Sequence, residues 1–194
     1  GSAFGGMGSS RHMTIAALVE PTVLVAVYAL SIPVGSSALP LIVAARRDHP
    51  ASIASPAGVL AVVALAIVVL AETGRLPIDN PSTHLELTMI HEAMVLETSG
   101  RDLAWVDLAS WLRLSVLLGL VGNLLLPWGV AGSAAPGPVL LGALALAGKL
   151  ALLAVLLATV EVAMAKLRLF RVPELLAGSF VLAFLAVTAS YLVA

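Results

Sequence analysis

Long runs of apolar residues with almost no charge dominate this chain. About 20 consecutive apolar residues suffice for an α-helix to cross the hydrocarbon core of a bilayer, and several stretches approach that length. Only helices and closed barrels satisfy their backbone hydrogen bonds in lipid, and the alternating pattern of a transmembrane barrel is absent from the sequence. The chain is therefore predicted to fold as an all-α, polytopic transmembrane helix bundle.

About five segments are predicted to cross the membrane within a single membrane domain, residues 1–194. They are residues 15–32, 57–71, 108–126, 139–165 and 175–194. A linker rich in Pro, Ser and Gly, residues 33–56, separates the first two, and its short apolar stretch favours an interfacial position. Trp105, Trp111 and Trp128 flank the third segment, which is typical of the aromatic belts at headgroup level.

Composition excludes several classes of protein. The chain is 60% hydrophobic and 11% charged, whereas a soluble domain carries roughly 25% charged residues. It has no cysteine, so neither a disulfide framework nor an iron–sulfur cluster on its own thiolates is expected. No basic run points to nucleic acid. If electrons move, they are expected to move in another subunit.

Lys and Arg predict the orientation of the bundle. The connections between five spans alternate between the two sides, and one side collects six cationic residues while the other has two. The six are Arg11, Arg75, Arg101, Lys166, Arg168 and Arg171, and the two are Arg46 and Arg47. Because cations favour cytoplasmic loops, the loop 72–104 is predicted to face the cytoplasm from the inner (plasma) membrane.

The most polar stretch of the chain, residues 71–100, lies in this loop. Prolines within residues 75–81 disfavour helix in the residues that precede them, and Arg75 and Asp79 are close enough in sequence to pair across such a turn. The following Thr-His-Leu-Glu, residues 83–86, is typical of a capping box that opens a helix. The stretch is therefore predicted to be a proline-broken turn followed by a short amphipathic helix.

This predicted helix has two titratable faces. His84 and His91 share one face, Glu86 and Glu97 share another, and Glu92 lies on a third, mostly apolar face. Helical metal ligands sit three or four residues apart, whereas this histidine pair is two turns apart, so no metal site is predicted. A titrating role for the histidines is favoured, and a solvated face without a role is the alternative.

Ionisable residues within the spans form a second group of candidates. Glu20, Lys149 and Glu161 lie inside predicted spans and Glu72 ends one; each costs roughly 2.5–3.5 kcal/mol at mid-span, so such residues usually face a bundle interior and mark ion paths. Interfacial snorkelling is the alternative for Arg113 and Glu161. Lys149 is far from either end of its span. Pairing with Glu20 or Glu72 would offset its burial, and a buried lysine can load and release a proton.

The loop also carries a family resemblance. Residues 71–81, AETGRLPIDNP, and 97–100, ETSG, resemble the cytoplasmic loop of the complex I subunit 1 family. The intervening residues 83–94, THLELTMIHEAM, are similar to the hydrogenase branch of that family, of formate hydrogenlyase and hydrogenase-4 type. Further matches to that branch lie at residues 8–11, 20–21 and 165–174.

The resemblance implies an eight-span family fold of which this chain supplies the last five spans. It implies a non-catalytic, membrane-anchoring and proton-coupling subunit of a complex I-like membrane-bound [NiFe] hydrogenase, which links redox chemistry in a peripheral arm to ion translocation. The implied partners are the hydrogenase large and small subunits on the cytoplasmic side, with their iron–sulfur clusters and nickel–iron centre, and antiporter-like membrane subunits. No cofactor or metal is expected on this chain.

The same resemblance distributes roles among the candidate residues. The proton-coupling residues would be Glu20, Glu72, Glu86, Glu92, Glu97, Lys149 and Glu161. Loop structure and partner docking would depend on Arg11, Arg75, Asp79, His84 and His91.

Three other functions remain open at this stage. A quinone-binding subunit 1 of an NADH:quinone oxidoreductase should open a pocket under Arg11 and the loop, but Ser82 and His84 stand where that branch is richer in carboxylates. A secondary ion transporter should have inverted repeats and broken mid-span helices, and neither is clear in the sequence. In a scaffold subunit, the ionisable residues would serve assembly only.

Overall fold

A computed structural model describes residues 3–76, 78, 91–95, 98–164 and 171–193 of the chain. The described residues form seven α-helices. These are α1 (Ala3–Ser31), α2 (Leu39–Asp48), α3 (Pro56–Glu72), α4 (His91–Val95), α5 (Gly100–Leu125), α6 (Pro136–Ala163) and α7 (Val172–Val193). Short 3₁₀ helices, Ile32–Val34 and Pro50–Ala54, lie on either side of α2.

Four of these helices, α1, α5, α6 and α7, are long and apolar enough to cross a membrane. Helix α3 has 17 residues and is about 25 Å long at 1.5 Å per residue, close to the shortest length that spans a bilayer. The predicted all-α transmembrane bundle is thus confirmed. Helix α1 begins at Ala3, well before the predicted start at residue 15, which places Glu20 in the middle of the helix.

Helix α3 has well-defined signals at both ends. Ser55 caps its N-terminus by accepting a hydrogen bond from the amide of Gly58 at 3.1 Å, and Pro56 occupies the first turn, where its missing amide costs nothing. At the other end the Thr73 hydroxyl donates to the Val69 carbonyl at 2.6 Å. Gly74 then takes a positive φ of 60°, which lets the chain turn away from the bundle axis.

Helices α1, α3 and α7 pack into one cluster around buried alanines. Each helix contributes two fully buried alanines three residues apart, so that both lie on one face. The pairs are Ala26 and Ala29, Ala61 and Ala64, and Ala183 and Ala186. Small side chains let helix backbones approach closely, and such close packing drives helix association in membranes because lipid removes the hydrophobic driving force.

Helices α5 and α6 form a hairpin on the side of this cluster. Helix α6 packs against α5 and leaves most of its surface exposed. Because successive helices cross in opposite directions, the N-termini of α1, α5 and α7 and the C-termini of α3 and α6 share one end of the bundle. We call this the loop end, since α3 ends and α5 begins there, and the other end, which carries α2, the far end.

Gly58 leaves no room for a side chain. A Cβ added there would lie 2.5 Å from the Ser52 carbonyl oxygen and 2.7 Å from the Ile53 carbonyl oxygen. We expect Gly58→Ala to destabilise the protein by about 1–3 kcal/mol through this backbone clash. Thermal unfolding of the detergent-purified chain measures the effect, and Gly119→Ala, where nothing lies within 4 Å, is the control that should leave stability unchanged.

Candidate functional site

A cavity of about 430 Å³ opens at the loop end of the bundle. Its walls come from the first half of α1, the end of α3, helix α4 and the first half of α5. Polar and charged lining residues include His12, Glu72, Arg75, Asp107, Ser110 and Arg113. The volume lies within the range of about 300–1,000 Å³ that is typical of small-molecule sites.

Glu72 and Arg113 form an ion pair in the wall of this cavity. Arg113 Nη1 lies 3.1 Å from Glu72 Oε1 and 3.2 Å from His12 Nε2. Since the guanidinium only donates, His12 accepts through Nε2 in this arrangement and carries its proton on Nδ1. One arginine nitrogen thus joins α1, α3 and α5. The Arg113 side chain is 47% exposed, so the interfacial alternative for Arg113 stays open beside this pairing.

The Glu72 carboxylate is only half satisfied. Its side chain is 17% exposed, and Oε2 is buried without a hydrogen-bond partner in the described part of the chain. A buried acceptor without a donor is unfavourable by roughly 1–3 kcal/mol. Glu72 thus brings a buried, unsatisfied acceptor to the wall of the cavity.

A second ion pair at the same end joins the loop to α6. Arg75 Nη1 lies 3.6 Å from Glu161 Oε1, with side-chain exposures of 37% and 24%. The expected partner of Arg75, Asp79, lies outside the described residues, so their pairing stays a prediction. The Arg75–Glu161 pair links the exit of α3 to the hairpin of α5 and α6.

Lys149 is buried near the far end of α5, and its partner is an amide. Its Nζ donates to Asn123 Oδ1 at 2.9 Å, and the residue is only 6% exposed. The expectation that Glu20 or Glu72 pairs with Lys149 is wrong, because Glu72 pairs with Arg113 at the opposite end of α5 and Glu20 lies on the exposed surface of α1.

Arg46 reaches the same end of α5 from α2. It is 5% exposed, and its Nε donates to the Leu124 carbonyl at 2.9 Å. Desolvation by burial lowers the pKa of Arg46 from its ordinary value, yet a guanidinium remains charged at neutral pH. The cation therefore sits at a helix C-terminus, where the helix dipole stabilises positive charge.

The remaining candidates are not brought into this site. Glu20 is exposed on α1, and Arg11 is half-buried in the first half of the same helix. His91 and Glu92 lie in α4, but only their backbone is described. Asp79, His84, Glu86 and Glu97 fall in segments beyond the described residues. Within the described ranges, no group of three or more His, Cys, Asp or Glu side chains is arranged to hold a metal ion.

Two residues that the fold makes important, His12 and Asn123, are not among the candidates from the sequence, and a third, Arg113, is named there only with an interfacial alternative. His12 follows Arg11 in a polar stretch that precedes the predicted first span. Asn123 gave the clearest available signal, since it is the polar amide in an otherwise apolar part of the third span, and polar groups inside spans are usually functional or paired.

Comparison with known proteins agrees with the resemblance in the loop. The NADH dehydrogenase family model matches residues 1–192. Formate hydrogenlyase subunit 4 of Escherichia coli (strain K12) is 31% identical over 186 residues, covering 96% of this chain and 59% of that protein. Hydrogenase-4 component C of the same organism is 31% identical over 132 residues, covering 66% of this chain and 39% of that protein.

The chain therefore spans about half the length of these curated relatives. The family match, in contrast, extends over nearly every residue of it, including all the helices that build the loop-end cavity. The apolar helices place the protein in a membrane. On these grounds the chain belongs to the NADH dehydrogenase family of membrane proteins, the complex I subunit 1 family.

Proposed function

We propose that this protein is the membrane-anchoring and proton-coupling subunit of a complex I-like, membrane-bound [NiFe] hydrogenase. The names of its relatives, formate hydrogenlyase subunit 4 and hydrogenase-4 component C, support a hydrogenase complex. The observation that carries the coupling role is the Glu72–Arg113–His12 contact beside the loop-end cavity. It joins three helices through one ion pair and one hydrogen bond, at the end of the bundle where α3 ends and α5 begins.

The proposed partners are those that the hydrogenase branch of the family implies. A cytoplasmic module of large and small hydrogenase subunits, with iron–sulfur clusters and a nickel–iron centre, would rest on the loop 72–104 of a protein in the inner membrane. Arg11, Arg75, Asp79, His84 and His91 would shape the loop and dock the module. Antiporter-like membrane subunits would lie beside the bundle.

Coupling would begin at Glu72. A redox-linked movement of the loop would weaken the Glu72–Arg113 pair, and Oε2, which has no partner among the described residues, would then take up a proton. The Arg75–Glu161 pair connects the same loop segment to α6, so its rearrangement would accompany that step. Such ion pairs can act as a two-state element that both sites bias, and Glu86, Glu92 and Glu97 would exchange protons within the loop.

Glu20 would transmit the change in charge at Glu72 toward a neighbouring subunit in the plane of the membrane. It lies eight residues beyond His12 on α1, about 12 Å deeper along the helix at 1.5 Å per residue, and its side chain is exposed on the bundle surface. A carboxylate facing lipid at this depth is unfavourable, and such residues normally face protein or a water-filled path. A neighbouring antiporter-like subunit would supply that surface.

A quinone-binding role is the second candidate, and the loop-end cavity favours it. The cavity is large enough for a small ligand and combines apolar walls with the Glu72–Arg113 pair. Under this alternative, quinone analogues should inhibit turnover, and the purified complex should contain an NADH-oxidising module. Under the hydrogenase function, analogues should have no effect.

Purification of the tagged protein from native membranes tests the proposal. We expect the hydrogenase large subunit to copurify, and Asp79→Lys to reduce its yield at least tenfold because placing like charges together in an interface costs several kcal/mol. Asp48→Lys, the matched charge reversal on an exposed residue at the far end, should leave the yield unchanged. Copurification of an NADH-oxidising module without a hydrogenase would contradict the proposal.

A further inference from the structure

Two buried cations bind the last turn of α5, at the far end. Lys149 binds the side chain of Asn123, and Arg46 binds the carbonyl of the next residue, Leu124. Both cations are at least nine-tenths buried. Within the described chain, neither forms an ion pair with a carboxylate.

This arrangement favours release of a proton by one of the two groups. The C-terminus of α5 supplies only a partial negative charge of about half an elementary charge, which cannot balance two full positive charges. Arg46 cannot give up its proton at physiological pH, whereas a buried lysine can. In addition, Arg46 Nη2 is buried with no acceptor in the described part of the chain, so this end holds more donors than acceptors.

The Lys149 site is separated from the loop-end ion pairs by apolar side chains. Glu161 lies twelve residues further along α6, about 18 Å away at 1.5 Å per residue. On α5, Arg113 lies ten residues before Asn123, the partner of Lys149, and so about 15 Å from Asn123 along the helix. Between these layers the facing positions are apolar, with Leu153 packed against Gly122 and Leu118 buried beside it. The described side chains therefore provide no chain of polar groups that leads from Glu72 and Arg113 to Lys149.

On its other side Lys149 is close to a non-helical segment with unpaired backbone groups. Helix α5 ends at Leu125, two residues after Asn123. From residue 128 to 134, neither the amides nor the carbonyls hydrogen-bond to another backbone group of the described chain. Unpaired backbone is tolerated at membrane depth only beside water or polar protein groups.

This segment folds back to within one turn of Lys149. A Cβ on Gly129 would lie 2.6 Å from the Cβ of Ala145, and Ala145 precedes Lys149 by one helical turn. Ala131 lies against Gly142, which is on α6 like Ala145. Whatever hydrates the backbone of residues 128–134 therefore lies near Lys149 and Asn123.

We propose that Lys149 is a proton-exchanging group served from the far end of the bundle, with Asn123 as its positioning residue and Arg46 as the fixed neighbouring charge. This proposal adds a second proton site to the proposed coupling function, and it rests on that function for the role of Lys149 in the protein. It assigns the two ends of the bundle separate proton sites, Glu72 at the loop end and Lys149 at the far end. Communication between them would be electrostatic or conformational, because the layer between them is apolar.

The two lysines of the chain, Lys149 and Lys166, allow a direct test of the side from which Lys149 is reached. The intact complex, in sealed membrane vesicles of either orientation, is treated with a membrane-impermeant acylating reagent, and each lysine is quantified by peptide mass spectrometry. We expect Lys149 to be acylated only from the face that carries Arg46, and Lys166 only from the opposite face. Acylation of Lys149 from the Lys166 face, or from neither, would overturn the proposal.

Asn123→Asp tests the positioning role. An amine reacts only after it has lost its proton, and a carboxylate at this distance should stabilise the protonated lysine by about tenfold or more. Acylation of Lys149 in this variant should therefore be about tenfold slower at a given pH and recover at higher pH. Lys166 in the same sample is the internal control. An unchanged pH profile for Lys149 would exclude Asn123 as its partner.

Three charged groups on the helices around Lys149 bear on this test. Arg46 on α2 reaches the same end of α5, Arg113 is the nearest charge further along α5, and Glu161 is the nearest carboxylate on α6. Arg46→Met should slow acylation of Lys149 at a given pH, in the same direction as Asn123→Asp, because loss of a neighbouring positive charge stabilises the protonated lysine. Because acylation does not require hydrogen turnover, failure of this proposal is distinguishable from failure of the hydrogenase function, which the purification from native membranes tests.

Discussion

Glu72→Gln is expected to abolish most proton translocation while hydrogen turnover in the peripheral module stays within about twofold of the native rate. The amide keeps the size of the side chain but can neither carry the charge that pairs with Arg113 nor take up a proton. A positioned proton acceptor contributes about 10²–10⁴ to a proton-transfer rate, so we expect a decrease of about 100-fold in protons moved per hydrogen. Simultaneous measurement of hydrogen and of vesicle acidification gives both numbers.

Glu174→Gln is the matched control. Glu174 lies in the first turn of α7 at the same end of the bundle and is exposed, so its amide should leave both rates unchanged. Arg113→Met should resemble Glu72→Gln, because it removes the other half of the pair and leaves Glu72 without its cation. Native proton translocation in Glu72→Gln would remove Glu72 from the coupling path, whatever the purification from native membranes shows about partners.

The long apolar segments were predictable because lipid imposes a strong constraint on sequence. Residues that cross a bilayer must be apolar and helical, and α3 therefore coincides closely with the predicted segment 57–71. Both ends of α3 were predictable as well. Ser55 and Pro56 are signals that begin a helix, and Glu72 followed by Thr73 and Gly74 is a signal that ends one.

The start of α1 was not predictable from hydropathy. Residues 8–14, Gly-Ser-Ser-Arg-His-Met-Thr, are polar for a span, yet they continue the helix for two further turns. Ser10 and Thr14 donate their hydroxyl protons to the carbonyls of Met7 and Ser10, at 3.0 and 2.9 Å. Such back-bonding lets a helix accommodate polar side chains without exposed donors, and periodicity of apolar residues cannot reveal it.

Partner choice among the buried charges was the least predictable feature. The sequence identified Glu72 and Lys149 as costly in a membrane, but not which residues face them. That depends on how the helices rotate and where α5 stops: Arg113 and Asn123 lie ten residues apart on the same helix and meet different partners. The sequence shows which charges need a partner in the membrane, whereas the packing of the helices determines which residue becomes that partner.

Replacing Ala64 with Leu should produce a large loss of stability. Ala64 is completely buried where α3 meets α1 and α7. Three additional carbon atoms cannot be accommodated between helices that approach through alanines, so the helices must separate or the side chains must leave their rotamers. Overpacking of this kind costs about 1–3 kcal/mol and occasionally more, and Ala186→Leu on α7 should behave alike.

The expected decrease in the midpoint of thermal unfolding is about 5–10 °C for a chain of this size, which a detergent-purified sample can report. Ala151→Leu adds the same atoms to α6, where the side chain is exposed, and should leave the midpoint unchanged. The contrast separates two roles of alanine in this protein, close helix contact in the α1–α3–α7 cluster and ordinary apolar surface on α6. Equal effects of Ala64→Leu and Ala151→Leu would mean that the buried alanines do not set the spacing of the three helices, and that another feature holds the cluster together.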